Sequence, residues 1–283
     1  MMQPVSRKTP ASIGELVSGQ FQLPSLPIVV VELIDTLNDE NANFARLVEK
    51  IAKDQSIVAR VMRLANSPFY GFPGGVASIR EAVALLGFNS VRNLVLASTL
   101  MDMFKGEGGE FDWPEFWRHS LNTGACAKLL AATVRQDREA AFLAGILHDI
   151  GRLLVGVYLP GQFAASLAYQ REHGVALTEA EQTLWETDHA RIGAAVARHW
   201  RLPSLICHAI EHHHDAEPTA DMPLTDIAYL ANLLDQELAA SPAGEYLSEF
   251  LAEETQQRLG LDRQGLSQVA RQLAASGPGA APD

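Results

Sequence analysis

The stretch Phe142-Leu-Ala-Gly-Ile-Leu-His-Asp-Ile-Gly-Arg-Leu-Leu154 puts the strongest constraint on what this chain can become. Leu143, Ile146, Leu147 and Ile150 recur on one stripe at helical spacing, so the run belongs in the core of a helical fold. His148 and Asp149 lie in the middle of it. Burying either side chain costs free energy unless it finds a partner. A metal ion supplies one, and so does a hydrogen-bond network shared with other polar groups. The plain alternative is a core-edge histidine beside a solvated carboxylate at a helix end, and for an isolated pair that reading is preferred. The histidines further along the chain shift the balance.

Helical spacing recurs along nearly the whole sequence. Phe44, Leu47, Val48 and Ile51 form one stripe, and Ile57, Val58, Val61, Met62 and Ala65 the next, with Asp54 placed between them as an N-cap. A partial helix is expected around Ile13 to Val17, and another over Leu26 to Leu37. Ser78-Ile-Arg-Glu81 and Thr178-Glu-Ala-Glu181 read as capping boxes. Asp112 and Asp137 read as caps, and Asn89 or Ser90 as the cap of a helix running to about Phe104. The helix capped by Asp137 is expected to carry His148 and Asp149 and to be interrupted by Gly151 and Gly156, ending at Gly151 and resuming briefly. Thr187-Asp188 starts a helix holding His189, Ile192, Val196 and Trp200. Pro203 opens one that ends in His212-His213-His214, and Pro223 precedes a long apolar helix through Ile227, Leu230, Leu233 and Leu234.

No segment alternates as a strand does, and no internal repeat is present. Helices that each carry one apolar face must pack on one another. The expected fold is therefore all-α, in two helical bundles. Lys105-Gly-Glu-Gly-Gly-Glu110 is charged, glycine-rich and aperiodic, which marks a hinge. The expected division is an N-terminal arm (1–22), an N-terminal helical bundle (23–110), a second helical bundle (111–240), and C-terminal helices with a tail (241–283).

Hydrophobic residues make up 47% of the 283-residue chain and charged residues 20%, enough for a sizeable core. The net charge of −12 makes nucleic acid and anionic membrane poor partners, and no Lys/Arg run supplies a local exception. Cys126 and Cys207 sit in apolar helical pattern and read as buried small hydrophobes of a reducing compartment. No apolar run follows Arg7 and Lys8, and no stretch is expected to reach the length of a membrane span. The expectation is a soluble cytoplasmic protein.

The histidines cluster along the sequence. His119, His148 with Asp149, His189 and the triplet His212–His214 fall on separate expected helices. Separate helices pointing imidazoles and a carboxylate inward is how a bundle builds a metal site. That donor set suits iron, manganese, nickel or zinc. Adjacent helical residues point about 100° apart, so His148 and Asp149 share an ion only if it lies between them. Gly193, one turn after His189, leaves room for close packing there. Each residue also has a plain reading: His119 at a bundle edge, His189 in a cap, the triplet drawn to a helix C-terminus by the dipole.

His119-Ser120, His148-Asp149-Ile-Gly151, Asp188-His189-Ala-Arg-Ile-Gly193 and His213-His214 resemble, in order, the landmarks of the HD superfamily of metal-dependent phosphohydrolases. The upstream segments Leu23-Pro-Ser-Leu-Pro27, Asp54-Gln-Ser-Ile57, Arg63-Leu-Ala-Asn-Ser-Pro68 and Ala82-Val-Ala-Leu-Leu-Gly87 narrow that resemblance to the HDOD family, the HD-related output domain of bacterial signalling proteins. It covers roughly Leu23 to Ala240. It implies an N-terminal bundle followed by an HD-like bundle, with His119, His148, Asp149, His189 and His213 as metal-site residues.

There are departures. Asn232 falls where the superfamily carries an aspartate on the late helix. Arg152 replaces the lysine, and Asp215-Ala-Glu-Pro218 the glycine-tyrosine-proline segment, of the cyclic-dinucleotide phosphodiesterases, so that branch's activity is not carried over. The resemblance implies a non-catalytic regulatory module of two-component-type signalling that works through a signalling protein partner, with Pro68-Phe-Tyr-Gly-Phe72 as a candidate contact. The plain reading of those aromatics is a bridge between bundles. The alternative function is a metal-dependent phosphohydrolase of a nucleotide or cyclic dinucleotide.

Overall fold

A computed structural model describes residues 12–17, 26–37, 44–66, 74–104, 111–215, 222–240 and 253–276. Among them every regular element is an α-helix. The helices are Ile13–Val17 (α1), Ile28–Asp35 (α2), Phe44–Lys53 (α3), Gln55–Ala65 (α4), Ile79–Leu86 (α5) and Phe88–Phe104 (α6). There follow Trp113–Thr133 (α7), Arg138–Leu147 (α8), Ile150–Tyr158 (α9), Pro160–His173 (α10), Leu177–Trp185 (α11), His189–His199 (α12), Ser204–Glu211 (α13) and Pro223–Ala240 (α14). Glu253–Leu259 (α15) and Arg263–Ser276 (α16) come last. The expected hinge at 105–110, most of Leu23–Pro27, the aromatic segment Pro68–Phe72 and the tail lie outside the described residues.

Most helix starts follow from local chemistry. Asp54 accepts from the Ser56 and Ile57 amides, Asp112 from Glu115, and Asp137 from Glu139 and Ala140. Each satisfies an amide that the first helical turn leaves without a partner. At α5, Ser78 Oγ accepts from the Glu81 amide while Glu81 reaches back to the Ala77 amide. Two expected caps are corrected. α6 starts at Phe88, directly after Gly87, so neither Asn89 nor Ser90 caps it. α11 starts at Leu177 behind Ala176, with no side-chain cap, and Glu181 turns into the core.

Helices α2 to α6 pack on one another. α1 instead packs on α12, placing Ile13 and Leu16 in the core beside the later helices. α6 also lies against α8. There Ser90 and Asn93 hydrogen-bond to Glu139, which is ion-paired with Lys128 of α7 at 2.6 Å. One apolar cluster runs from Ile13 to Ala228 through both sets of helices. A second joins α7, α8, α14 and α16 around Leu130, Leu230, Leu234 and Leu266.

α8 packs closely on α7. Leu143 and Leu147 of α8, and Leu153 and Leu154 of α9, are at most 2% exposed. Each such burial contributes about 1.5–3 kcal/mol. Contrary to expectation, residues Arg138–Tyr158 are long and apolar enough to resemble a membrane span. However, 89% of the most apolar window lies buried inside the fold. The expected break comes earlier than Gly151: α8 stops at Leu147 and α9 begins at Ile150, so His148 and Asp149 form the joint between them.

Candidate metal centre

Asp149 occupies the N-cap position of α9 but caps nothing. Its φ of −97° and ψ of 14° put it in the sparsely populated bridge region, and both carboxylate oxygens face histidines. Oδ2 lies 3.5 Å from His148 Nε2 and 3.7 Å from His119 Nε2. Oδ1 lies 3.2 Å from His189 Nε2 and 3.5 Å from His213 Nε2. Four of the five sequence-predicted site residues therefore converge on the carboxylate of the fifth. His148 and His213 are fully buried, Asp149 and His189 nearly so. His119 comes from α7, His189 is the first residue of α12, and His213 lies in the turn after α13.

Each ring is fixed from behind. His148 Nδ1 lies 2.7 Å from the Gly145 carbonyl and His213 Nδ1 2.7 Å from that of Ile210. A carbonyl only accepts, so both nitrogens carry the proton. His119 Nδ1 meets Asp235 Oδ2 at 2.6 Å and His189 Nδ1 meets Glu181 Oε2 at 2.6 Å. A neutral ring with Nδ1 protonated turns a bare Nε2 lone pair inward; His189 in the metal-free protein instead donates from Nε2 to Asp149 Oδ1. His119 and His148 then face each other Nε2 to Nε2 at 3.1 Å, and His213 Nε2 is buried with no hydrogen-bond partner. Converging lone pairs around a carboxylate call for a cation. Histidines held from behind by carboxylates and carbonyls are how proteins orient metal ligands.

The donor atoms form two sets that share Asp149. One is Asp149, His189, His213 and His214, and the other His119, His148 and Asp149. Within each set the donors lie within 4.8 Å of one another. Imidazole with carboxylate fits a divalent transition ion such as iron, manganese, nickel or zinc.

Electrostatics set His148 and His189 apart. Burial holds the His148 imidazole well below its ordinary pKa, keeping it neutral. Burial alone would raise the Asp149 carboxyl, but the Arg152 guanidinium, followed by His148 and a hydrogen bond from His189, outweighs it. The carboxyl is held well below the usual range. Burial would likewise lower His189, yet its hydrogen bonds to Asp149 and Glu181 push it up to about 9.

Four further residues complete the centre. His214 Nε2 lies 2.9 Å from His189 Nε2. Glu181, 0% exposed, holds both the ring and the backbone amide of His189. The apparent capping box hides this role; the signal is an acid four residues from the apolar Leu177 and Trp185 on the same face of α11. Asp235 stands behind His119 and belongs to neither donor set, so Asn232 remains the residue at the superfamily's aspartate position. Asn232 accepts from Gln236, while Asp235, one turn on, holds His119. Its signal was its place on the buried Ala228–Ala231 stripe of α14. Arg152 Nη1 contacts Asp149 Oδ2 at 2.6 Å.

An all-helical bundle with an ordered His/His-Asp/His/His-His centre defines an HD-type domain preceded by a second set of helices. The model of the HDOD domain matches residues 23–216, and this chain belongs to that family. It is similar to a Geobacter sulfurreducens HDOD domain protein of unknown function, at 26% identity and a TM-score of 0.77, over 93% of this chain and 95% of that one. A Shewanella amazonensis protein, provisionally assigned as a phosphohydrolase, gives 27% identity and a TM-score of 0.76 over 96% and 98%. An uncharacterised Treponema pallidum protein is 24% identical over 266 residues, 91% of this chain. The chain spans about half the length of that curated relative, 51%.

Proposed function

We propose that this protein is a regulatory output module of bacterial signalling whose buried His/Asp centre binds a divalent transition metal and which acts on a signalling protein partner without turnover. The convergence of four histidine Nε2 atoms on the two oxygens of Asp149 supports the metal-binding reading. His119, His148, Asp149, His189, His213 and His214 are the residues that would hold the ion. When bound, the ion supplies positive charge that neutralises the facing lone pairs. The chain's own residues do the rest: Asp235, Glu181 and the Gly145 and Ile210 carbonyls fix each ring, so α7, α12 and the α8–α9 joint are tied to one point.

The non-catalytic reading is supported by the arginines around the centre, each of which is already paired. Arg152 binds Asp149, Arg118 binds Glu115 through two hydrogen bonds, and Arg191 lies against Asp188. The acidic charge of the chain argues against nucleic-acid and membrane partners.

One observation favours a second reading, a metal-dependent phosphohydrolase: the likeness to the Shewanella amazonensis protein extends over 96% of this chain. Elemental analysis of the purified protein, with hydrolysis of a generic phosphodiester in added manganese, separates the two. Retained metal with no turnover above that of His148→Ala is expected. Metal-dependent hydrolysis lost in His148→Ala would put the second reading in place of the first. Protein that retains no metal and binds none on titration sinks both.

A further inference from the structure

We propose that the face of α12 beneath α1 is the docking surface for the signalling partner, and that α1 is its removable cover. The occupant is a short helix of the partner with the chemistry of α1: two large aliphatic side chains three residues apart, with an acid between them. This deepens the reading of the protein as a regulatory module that acts on a protein partner, and rests on it.

α12 is buried over more of its circumference than one neighbour covers. From Ile192 through Gly193 to Ala194, each of them buried, the helix turns through about 200°. A helix packed on a single layer buries a stripe of about 100°. α9 and α13 pack along α12, and α1 adds a further contact. α1 brings Ile13 and Leu16, 5% and 2% exposed, into the apolar core there.

The cover is held weakly. α1 has five residues, and a helix that short does not form by itself in water. It is therefore helical only while seated. Two aliphatic burials gain about as much as the ordering of a five-residue segment costs. At its first turn the Glu15 amide donates to Ser12 Oγ over a long 3.4 Å. A contact so near balance is displaced by a second helix that offers the same side chains.

Charge gives the occupant its acid. Glu15 is the sole charged residue of α1. From His189 to Arg201 the chain carries Arg191, Arg198 and Arg201 and no acid. Arg191 and Arg198 lie beside Asp188 and Glu211, yet their side chains stay 58% and 52% exposed. A basic rim selects an acidic helix over a basic one. α12 also begins at His189, so an occupant of this face bears on a helix that builds the buried centre.

The test uses the full chain, with a fluorescein-labelled peptide of residues 8–20 standing in for the partner helix. The double variant Ile13→Asp/Leu16→Asp lifts the cover. Fluorescence anisotropy is expected to show the peptide binding this variant at least about tenfold tighter than wild type, whose own α1 competes. The same peptide with Glu15→Lys is expected to bind about threefold weaker. Equal affinity for both proteins overturns the proposal. So does absence of binding to a double variant that keeps its helical circular dichroism. A double variant that does not fold overturns it as well, because α1 is then part of the core and not a cover. Hydrogen exchange of wild type needs no variant: α1 amides are expected to exchange at least about tenfold faster than those of α8, and equal protection overturns the proposal. A wild-type dimer, seen by light scattering, that becomes monomeric in Leu16→Asp would make a second copy the occupant and overturn it too. None of these results bears on metal retention or turnover, on which the underlying reading stands or falls separately.

Discussion

Gly151 and His189 meet backbone to backbone: a Cβ added at Gly151 would sit 1.9 Å from the His189 carbonyl oxygen and 2.8 Å from the Gly193 amide nitrogen. This contact lets α9 and α12 cross closely enough to bring His189 Nε2 within 3.2 Å of Asp149 Oδ1. Gly151→Ala cannot be absorbed by a side-chain rotation, because the obstacle is backbone. Overpacking of this kind costs about 1–3 kcal/mol or more. We expect a lowered melting temperature together with loss of metal binding, measured by thermal denaturation and metal titration. An Ala variant with wild-type metal affinity would show that the crossing does not set the position of His189.

Asp149→Asn changes little in volume and removes the only negative charge that faces all four histidines. Metal affinity is expected to fall more than about 100-fold, beyond the 10–100-fold typical of residues that only support a ligand. Titration with manganese or zinc checks this. Affinity within threefold of wild type would show that the histidines alone hold the ion.

Glu181→Gln tests support from behind the ring. The carboxylate holds His189 Nδ1 at 2.6 Å and is completely buried. Replacing it with an amide weakens the grip on the ring and lowers the basicity of His189. A 10–100-fold loss of metal affinity is expected, with the His189 imidazole titrating lower in NMR of the metal-free protein. An unmoved titration would mean that Glu181 does not govern this histidine.

The metal-free protein carries a defined pH dependence. His189 is raised from an ordinary 6.5 to about 9, so its contribution is fully present below about pH 6.5 and is lost as pH rises toward 9. That contribution is about 3 kcal/mol at most. His148 acts in the opposite sense. It is held well below 6.5, so the fold loses stability as pH falls below that value. Denaturant unfolding of the metal-free protein should therefore show falling stability between about pH 6.5 and 9, while metal affinity rises over the same window because the ion must displace the His189 proton. Stability that climbs across this window would contradict the charge state assigned to His189.

Lys128→Met probes the joint between the two sets of helices. Lys128 and Glu139 pair at 2.6 Å with side chains only 10% and 21% exposed, and Ser90 and Asn93 of α6 share Glu139. Removing the cation leaves a poorly solvated carboxylate, which costs about 3–5 kcal/mol when fully buried and somewhat less at this exposure. Chemical denaturation measures it. A double variant, Lys128→Met with Glu139→Leu, should recover part of the loss.

Much of the fold was legible because it follows from local rules. The Asp54, Asp112, Asp137 and Asp188 caps need only a short acceptor ahead of a periodic run, and the structure places each where that rule puts it. Where the local rule met tertiary packing, packing decided. Thr178 and Glu181 had the spacing of a capping box, yet Glu181 is drawn into the core because His189 offers it a ring nitrogen and an amide there. The glycines placed a break at Gly151, yet the chain breaks earlier, at His148 and Asp149.

The sequence by itself determined that the chain would be helical, because periodicity is a property of a linear string, and its resemblance to the HD superfamily pointed to Asp149 and the four histidines that meet it. It did not determine which groups stand behind the rings. Asp235 lies 116 residues from His119 along the chain, and Glu181 is read locally as a cap. Nor did it show that Arg152 turns toward one oxygen of Asp149. Those facts depend on the crossing of helices at the glycines and on which carboxylate is left facing which nitrogen, and only the folded chain fixes distances between residues so far apart in sequence.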